Sequence, residues 1–441
     1  MVRHFIAIAL VLGATPSFAL TLDEAVDQAV SSHPRMATAR AQRQASDERI
    51  RQTQARYLPT VELNAFLGRE AVERPGSASV GEDTAYETPR SIALEVEQVL
   101  FDGFSRTNEL EQRVAETNAA AGRVTAEAEA LALETVSAYF DVLRQRRILD
   151  ISEESIAIHN RYVGLVGRAF DGGGATRGEV EQAKERLAAA ESFQRDIQLS
   201  LGVAEARLVN LLGAPAGALS DSGGPSDMPA SLDQALDIAL RENSQLRVFN
   251  EEVRAAQFAA EERRSPYFPQ VSLEGSAQRA EDIAGIDGED NRYGVRLNFS
   301  WNLYNGGGDT AREREALQEL AAASRQRDTA LRDVRETVER AWSDLAALDQ
   351  LIESRRHQAS HSARVVEAYR DEYDTGVRDF LDILNAEASL LNTRVEIETA
   401  SAIRRVAAYT LIAASGQILQ EFGVSQDATA LPLGEVSAFP Y

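Results

Sequence analysis

Cysteine is absent from the 441 residues of this chain. Its absence excludes disulfide bonds, thiolate catalysis and metal sites built on cysteine sulfur. It also excludes attachment to a lipid through a cysteine placed after an export signal. Thiol enzymes, disulfide-stabilised secreted domains and lipoproteins are therefore ruled out as classes for this protein.

Lysine is nearly absent, and the 69 acidic residues outnumber the 46 basic ones. Lys184 is the single lysine, the formal net charge is −23, and the sequence pI is about 4.8. A protein whose main partner is nucleic acid presents a basic surface to the phosphate backbone. The charge balance therefore argues against nucleic acid as a partner.

Long apolar runs are missing except at the N-terminus. Arg3 provides a positive end, residues 5–12 form an apolar core, and Ser17 and Ala19 are the small residues of a cleavage site. A membrane anchor is the alternative, but crossing a bilayer takes about 20 apolar residues. We predict that residues 1–19 are a signal peptide and that the protein is exported.

Proline is missing from the whole stretch between Pro269 and Pro432. Apolar residues recur there at alternating steps of three and four from Leu331 to Ile352, which indicates a long helix. Gly376 interrupts the pattern, so a turn at residues 373–382 would fold one helix back onto a second one.

The chain contains an internal repeat. Residues 20–25 return at 230–235 and residues 57–63 at 267–273, both at an offset of 210. Residues 99–103 return at 302–306 and residues 170–173 at 373–376, both at an offset of 203. We therefore predict a first repeat at 20–212, a linker at 213–230, a second repeat at 231–415 and an irregular C-terminal segment at 416–441.

Each repeat has the pattern helix, strand, loop, strand, long helix, turn, helix. The long helices are predicted at about 104–170 and 309–372, each spanning about 100 Å. Shorter helices are predicted at about 22–56, 177–212 and 378–414. Two short helices end to end match one long helix, so the pattern favours long antiparallel coiled coils around a tunnel. A rod or bundle with a solid core is the alternative.

The predicted strands alternate apolar and polar residues over about 10 positions, the length of a tilted strand that crosses a bilayer. The fourth strand has aromatic residues, Tyr293 and Trp301, at its predicted ends. Four strands cannot close a barrel, but three copies would supply twelve. A half-buried hairpin in a soluble sheet is the alternative. The charged residues predicted to face the lumen of the barrel are Glu62, Glu95, Glu97, Glu274 and Arg296.

These features together resemble the TolC family of outer-membrane export ducts. The resemblance rests on the openings at Thr21 and Ser231, the Tyr-x-Pro before each first strand, the motifs at 100–103 and 303–306, and the turn at 373–382. It implies a fold that is mainly α-helical with a membrane β-barrel part. Three protomers of four strands each would form a twelve-stranded barrel, continued by a long antiparallel coiled-coil α-helical tunnel in the periplasm. The implied location is the outer membrane of a Gram-negative-type cell.

The resemblance also implies a periplasmic gate at the turns. Tyr373 and Arg378 match positions that tie neighbouring coils together, and Glu179 matches their acidic partner. Asp382 matches an acid that forms a ring at the constriction, whereas Asn385 stands where a second such acid is expected. Three copies of Asp382 around one axis would make a ring of like charge that favours cations.

The predicted function is passive export within a tripartite complex, with a periplasmic adaptor (membrane fusion) protein, an inner-membrane ABC or proton-driven transporter, and outer-membrane lipid as partners. The run at 378–387 and the missing lipid-attachment cysteine favour type I protein secretion. The alternatives are a small-molecule or drug efflux duct and, from another class, a periplasmic coiled-coil adaptor or structural protein. No catalytic residue, cofactor or metal site is predicted, since His357 and His361 have no carboxylate set nearby in the sequence.

Overall fold

A computed structural model describes residues 19–73, 84–283, 286–425, 427–434 and 436–437. The predicted signal peptide therefore lies outside the described residues, apart from its last position. Nine α-helices occur in these residues: α1 Leu22–Ser32, α2 Pro34–Ala55, α3 Ser105–Asp171, α4 Arg177–Leu212, α5 Leu232–Glu242, α6 Ser244–Glu262, α7 Gly308–Asp374, α8 Phe380–Ala414 and α9 Ile418–Glu421. The strands are β1 Thr60–Leu67, β2 Glu70–Glu73, β3 Thr84–Glu87, β4 Arg90–Phe101, β5 Gln270–Ile283 and β6 Ile286–Ser300.

The first helix begins with a capping box, as its sequence predicts. The hydroxyl of Thr21 accepts from the backbone N–H of Glu24, and the Glu24 carboxylate accepts from the backbone N–H of Thr21. The predicted single helix at 22–56 is wrong, however, because it is two helices. His33 adopts an extended conformation (ψ 137°) because Pro34 disfavours the helical conformation in the residue before it.

The long helices agree with their predicted bounds to within two residues. Both α3 and α7 contain 67 residues and run without a break. The turns that follow them are also where the sequence places them. Long-range packing is not needed to predict these helices, because their length follows from the absence of proline and the regular apolar spacing.

Four strands form one antiparallel sheet in the order β1-β4-β5-β6, and β2 pairs with β3 in a separate hairpin. The inner strands β4 and β5 come from different repeats, so the two repeats share one sheet. Two details of the prediction are wrong. The loop predicted between the two strands of the first repeat carries β2 and β3 in its described part. Tyr293 lies in the middle of β6, because that strand begins at Ile286.

The chain folds into two compact units, each of which draws segments from both repeats. One unit contains residues 19–37, 126–243 and 333–425, and the other contains residues 38–125, 244–332 and 427–437. In the second unit the C-terminal segment is ordered against the helices, where Leu433 and Val436 pack on Ile50, Leu110 and Val114. Within the described ranges, no helix has a stretch that is long and apolar enough to cross a membrane.

Candidate functional sites

The first turn, between α3 and α4, is stabilised locally. Gly173 adopts a positive φ of 76°, which favours glycine. Thr176 then caps α4 and forms a capping box with Glu179, whose carboxylate accepts from the backbone N–H (2.6 Å) and the hydroxyl (2.8 Å) of Thr176. Glu179, predicted as a gate residue, therefore holds the start of its own helix.

The second turn, between α7 and α8, is built differently. Gly376 has a φ of 77°, and its N–H donates to the carbonyl of Tyr373 over 2.9 Å. Asp379 stands at the N-cap of α8, but its side chain makes no capping hydrogen bond. The turn is bridged by a longer side chain instead.

Arg378 is that bridging side chain. Its Nε lies 2.9 Å from the Glu372 carboxylate and its Nη1 lies 3.4 Å from that of Asp382. Its guanidinium also lies 4.3 Å from the centre of the Tyr369 ring. Within one described chain, Arg378 pairs with residues of its own hairpin, whereas Glu179 bonds to Thr176. A pair between Arg378 and Glu179 of a neighbouring copy stays a prediction.

The predicted ring residues lie on the first turns of α8. Asp382 is half-buried and forms an ion pair with Arg378. Asn385 lies one turn further along α8 and is exposed. Tyr373 packs against Phe380, with ring centres 5.6 Å apart. Burial raises the pKa of Tyr373, and the negative charges of Glu179 and Asp374 raise it further. The gate role of Tyr373 and Glu179 stays a prediction.

A buried apolar cluster lies behind the second turn and joins three helices. Its members are Tyr162 and Val166 on α3, Ala183 on α4, and Phe380, Ile383 and Leu384 on α8. Phe380 is 1% exposed and packs edge-on against Tyr162, with ring centres 5.8 Å apart. The start of α8 is therefore fixed to α3 by apolar contacts.

Three polar residues in or beside this cluster were missed from the sequence. Tyr162, Arg370 and Glu387 hydrogen-bond to one another, and the Glu387 side chain is buried. One signal could have found them. Glu387 continues the apolar spacing of Ile383 and Leu384, so a carboxylate occupies a core position of α8 and needs a buried partner.

His159 lies one turn before Tyr162 on α3 and is 6% exposed. Burial lowers its pKa, Glu387 opposes this shift, and the positive charge of Arg186 adds to it. Its Nδ1 has no hydrogen-bond partner within the described structure. Protonation of His159 would therefore place a charge in a site that favours the neutral ring.

The residues predicted to face the lumen share one face of the four-stranded sheet. Glu62 lies opposite Glu95, and Glu97 lies opposite Glu274, which in turn lies opposite Arg296. Directly opposed residues in an antiparallel pair point to the same side. All five charged residues therefore lie on one polar face, and their position in a lumen stays a prediction.

The other face of the sheet is apolar and uncovered. Val61 is 65% exposed, Val295 is 75% exposed and Tyr293 is 78% exposed. Among the described strands, β1 and β6 each pair on one side only, so both edges of the sheet are open. An apolar face with two open edges is typical of a sheet that is completed by something outside the chain.

No group of three or more potential metal ligands occurs among the residues that the structure describes. His357 and His361 contact different residues. His357 lies 3.0 Å from the Glu353 carboxylate, and the Nδ1 of His361 lies 2.9 Å from Arg364.

Comparison with known proteins gives concordant matches. The profile of the family described as Outer membrane efflux protein matches residues 25–214 and 235–417. Outer membrane efflux protein BepC of Brucella suis is 24% identical over 422 residues, or 94% of this chain and 91% of BepC. Alkaline protease secretion protein AprF of Pseudomonas aeruginosa is 24% identical over 402 residues, or 87% of this chain and 82% of AprF. The crystal structure of the outer membrane protein VceC of Vibrio cholerae has the same fold, with a TM-score of 0.76 at 17% identity over 90% of this chain and 96% of VceC.

Proposed function

Because the chain belongs to the outer membrane efflux protein family, we propose that it is an export channel assembled from three copies. The sheets of the three copies would close into one twelve-stranded barrel in the outer membrane. The helices would continue this barrel as a tunnel in the periplasm, with the turns at its far end.

The observation that carries this proposal is the four-stranded sheet. One face exposes valine, leucine and tyrosine side chains, the other carries charged residues, and both edges are open. In water such a sheet would expose an apolar patch and unpaired backbone groups. Within a membrane, strands are stable only when the sheet closes and every backbone group is paired. Closure of the sheet by further copies pairs the backbone groups at both edges, and the membrane then covers the apolar face.

The first test is the mass of the native assembly. We expect detergent to extract the protein from outer-membrane fractions as a trimer, with about three times the mass of one mature chain. The same sample should form channels of low resting conductance in planar bilayers. A monomer in detergent, or a protein released without detergent, would contradict the barrel and favour the periplasmic adaptor alternative.

We propose type I protein secretion as the pathway, with an adaptor protein and an inner-membrane ABC transporter as partners. The run at 378–387 and the similarity to AprF, whose name refers to alkaline protease secretion, support this choice. The similarity to BepC, named an efflux protein, favours small-molecule efflux as a second candidate. A deletion strain distinguishes them: loss of a secreted protein with unchanged drug susceptibility supports secretion, and the reverse supports efflux.

Within the channel, we propose that the two turns form the gate, with Tyr373, Arg378 and Glu179 holding neighbouring coils together. Asp382 would form the ring at the constriction, and Asn385 leaves that ring without a second acid. Exchanging Tyr373→Phe together with Arg378→Ala should raise the resting conductance. An unchanged conductance in a trimer of normal mass would exclude these residues as the latch.

A further inference from the structure

The apolar face of the four-stranded sheet ends before its strands do. Along β6 and the residue after it, apolar side chains occupy every second position from Tyr293 to Trp301, with exposed fractions between 49% and 78%. With the usual rise and tilt of barrel strands, this run is about 20 Å tall, close to the apolar band of about 25 Å on membrane barrels. The strand itself continues past Tyr293 as far as Ile286.

Beyond Tyr293 the same face becomes charged. Tyr293 lies opposite Ala277 of β5, and the next residue of β5 on that face is Arg279. One row further out, Arg90 of β4, Glu281 of β5 and Glu289 of β6 lie opposite one another. We call Arg90, Arg279, Glu281 and Glu289 the charged rim. It belongs to the apolar face because side chains alternate between the two faces of a strand.

The charged rim is held by two exposed ion pairs between neighbouring strands. Glu281 accepts from Nε of Arg90 over 2.7 Å, and Glu289 accepts from Nη2 of Arg279 over 2.7 Å. The arginine side chains are 59% and 67% exposed, and exposed pairs contribute little to stability. Among the described residues, Nη1 of neither arginine makes a hydrogen bond. Both guanidinium groups can therefore bind a further acceptor.

The two arginines are close enough to share one ligand. Arg279 lies opposite Ile92, two residues from Arg90 on β4, so the arginines are diagonal neighbours on adjacent strands. Such neighbours lie about 7–8 Å apart, which two long side chains can span. The planar guanidinium group matches the oxygen atoms of a phosphate, with which it forms paired hydrogen bonds.

The proposed barrel places an acceptor of this kind beside the charged rim. If the apolar face contacts acyl chains, residues directly beyond Tyr293 lie at the level of the lipid head groups, where tyrosine is enriched. The long helices begin at the other end of the strands, after Phe101 and Trp301. The charged rim therefore lies at the end of the barrel away from the tunnel, which is the outer leaflet.

We propose that Arg90 and Arg279 bind the phosphate group of an anionic lipid in the outer leaflet, while Tyr293 contacts its acyl chains. Glu281 and Glu289 orient the two guanidinium groups from the neighbouring strands. The proposal rests on the proposed barrel and adds the class of lipid that its outer surface recognises.

The experiment titrates the trimer in detergent with lipid A, whose head group carries phosphate esters, and counts bound lipid by native mass spectrometry. The test variant carries Arg90→Gln together with Arg279→Gln. Its matched control is Arg292→Gln. Arg292 lies near the same end of β6 on the opposite, polar face, where it is 72% exposed and pairs with Asp290 over 2.5 Å.

We expect the wild-type trimer to bind up to three molecules of lipid A, one for each copy. The double variant should bind lipid A about tenfold more weakly or worse, as for loss of a hydrogen bond between charged groups. The Arg292→Gln control should bind as wild type does. Added salt should weaken binding by the wild type more than by the double variant, because salt screens exposed charges.

Three results would overturn the proposal. The first is equal binding of lipid A by wild type and double variant, and the second is an equal loss in the Arg292→Gln control. The third is equal binding of phosphatidylcholine, whose head group is neutral overall, or displacement of lipid A by an equal concentration of inorganic phosphate. Displacement by inorganic phosphate would indicate a site for free anions.

The assembly of each variant is checked by its mass. If the double variant forms no trimer, the two single variants decide, and wild-type binding by both would overturn the proposal. A wild-type protein that is monomeric in detergent, or is released without detergent, would instead overturn the proposed function. The failure of the lipid site and the failure of the barrel are therefore distinguishable.

Discussion

The two turns occupy equivalent places in the two repeats but are stabilised in different ways. The first turn relies on a local capping box between Thr176 and Glu179, and its flanking aromatic residue, Phe170, is 44% exposed. The second turn has no side-chain cap at Asp379. It relies on Phe380, which is buried against α3.

This difference shows that duplication preserved the backbone of the turn while the contacts around it diverged. The side-chain hydrogen bonds that cap the first turn lie within about four residues, and the apolar cluster adds only the small side chains of Ala175, Val180 and Ala183 beside it. The second is held by contacts with a helix more than 200 residues earlier in the sequence. A signal that moves α3 relative to α8 would therefore affect the second turn first.

The strongest test of this comparison removes the buried ring. Phe380→Ala should reduce the free energy of local opening around the second turn by about 3–5 kcal/mol, because it leaves a cavity in a packed cluster. Hydrogen exchange of the amides at the start of α8, measured on the trimer in detergent, gives this free energy. Phe170→Ala is the matched control and should change exchange at the first turn far less. Equal effects at both turns would contradict the comparison.

A second test uses pH. His159 has a lowered pKa in the fold, so its contribution is present above its unfolded pKa of about 6.5 and is lost as the pH falls below that value. The slope for one proton cannot exceed about 1.4 kcal/mol per pH unit. The free energy of opening, taken from exchange rates corrected for the intrinsic effect of pH, should therefore fall below pH 6.5 for amides near the second turn and not for those of the first turn.

His159→Leu should remove this pH dependence. If the variant keeps the same acid-induced fall in the free energy of opening as wild type, another group is responsible.

The first turn is tested by removing its cap. Thr176→Ala should destabilise the start of α4 by about 1 kcal/mol, the usual contribution of an N-cap side chain. Asp379→Ala is the control in the second turn and should have a smaller effect, because its side chain makes no cap bond. Hydrogen exchange at the two helix starts measures both. A larger loss of stability at the start of α8 than at the start of α4 would show that Asp379 caps its helix more strongly than Thr176 does.

The smallest effect is expected for Arg378→Ala. Its pairs with Glu372 and Asp382 are between partly exposed side chains, so local hydrogen exchange should stay at the wild-type level. The resting conductance of the same variant distinguishes contacts between copies from contacts within the hairpin. A rise in conductance with unchanged exchange would assign the role of Arg378 to contacts between copies. Faster exchange would show instead that it stabilises its own hairpin.

The family, the outer-membrane location and the mainly α-helical fold with a small sheet were predicted from ordered motifs, and the comparisons confirm them. The prediction succeeded because each motif is local and its repetition makes chance agreement improbable. The break at His33 was missed although Pro34 marks it. The matching break at Asn243 has no proline, so it needed tertiary information: the Asn243 side chain donates to the carbonyl of Ala414 over 3.0 Å.

The candidate site was predictable only in part. The positions of both turns followed from Gly376 and the repeat, and the polar face of the sheet followed from alternation. The partners of Arg378 did not follow, because the prediction took Glu179 from the resemblance whereas two nearer carboxylates compete within the hairpin. Tyr162 and Arg370 are separated by 208 positions, and no local pattern pairs them.

For the turn at residues 373–382, the sequence by itself determined where the chain reverses, because glycine at a positive φ and an interrupted apolar repeat are local properties. It also determined which side chains lie near the reversal. Only the tertiary structure decided which of them bond across helices, because burial of Tyr162 and Glu387 makes their pairing obligatory while exposure makes that of Arg378 optional.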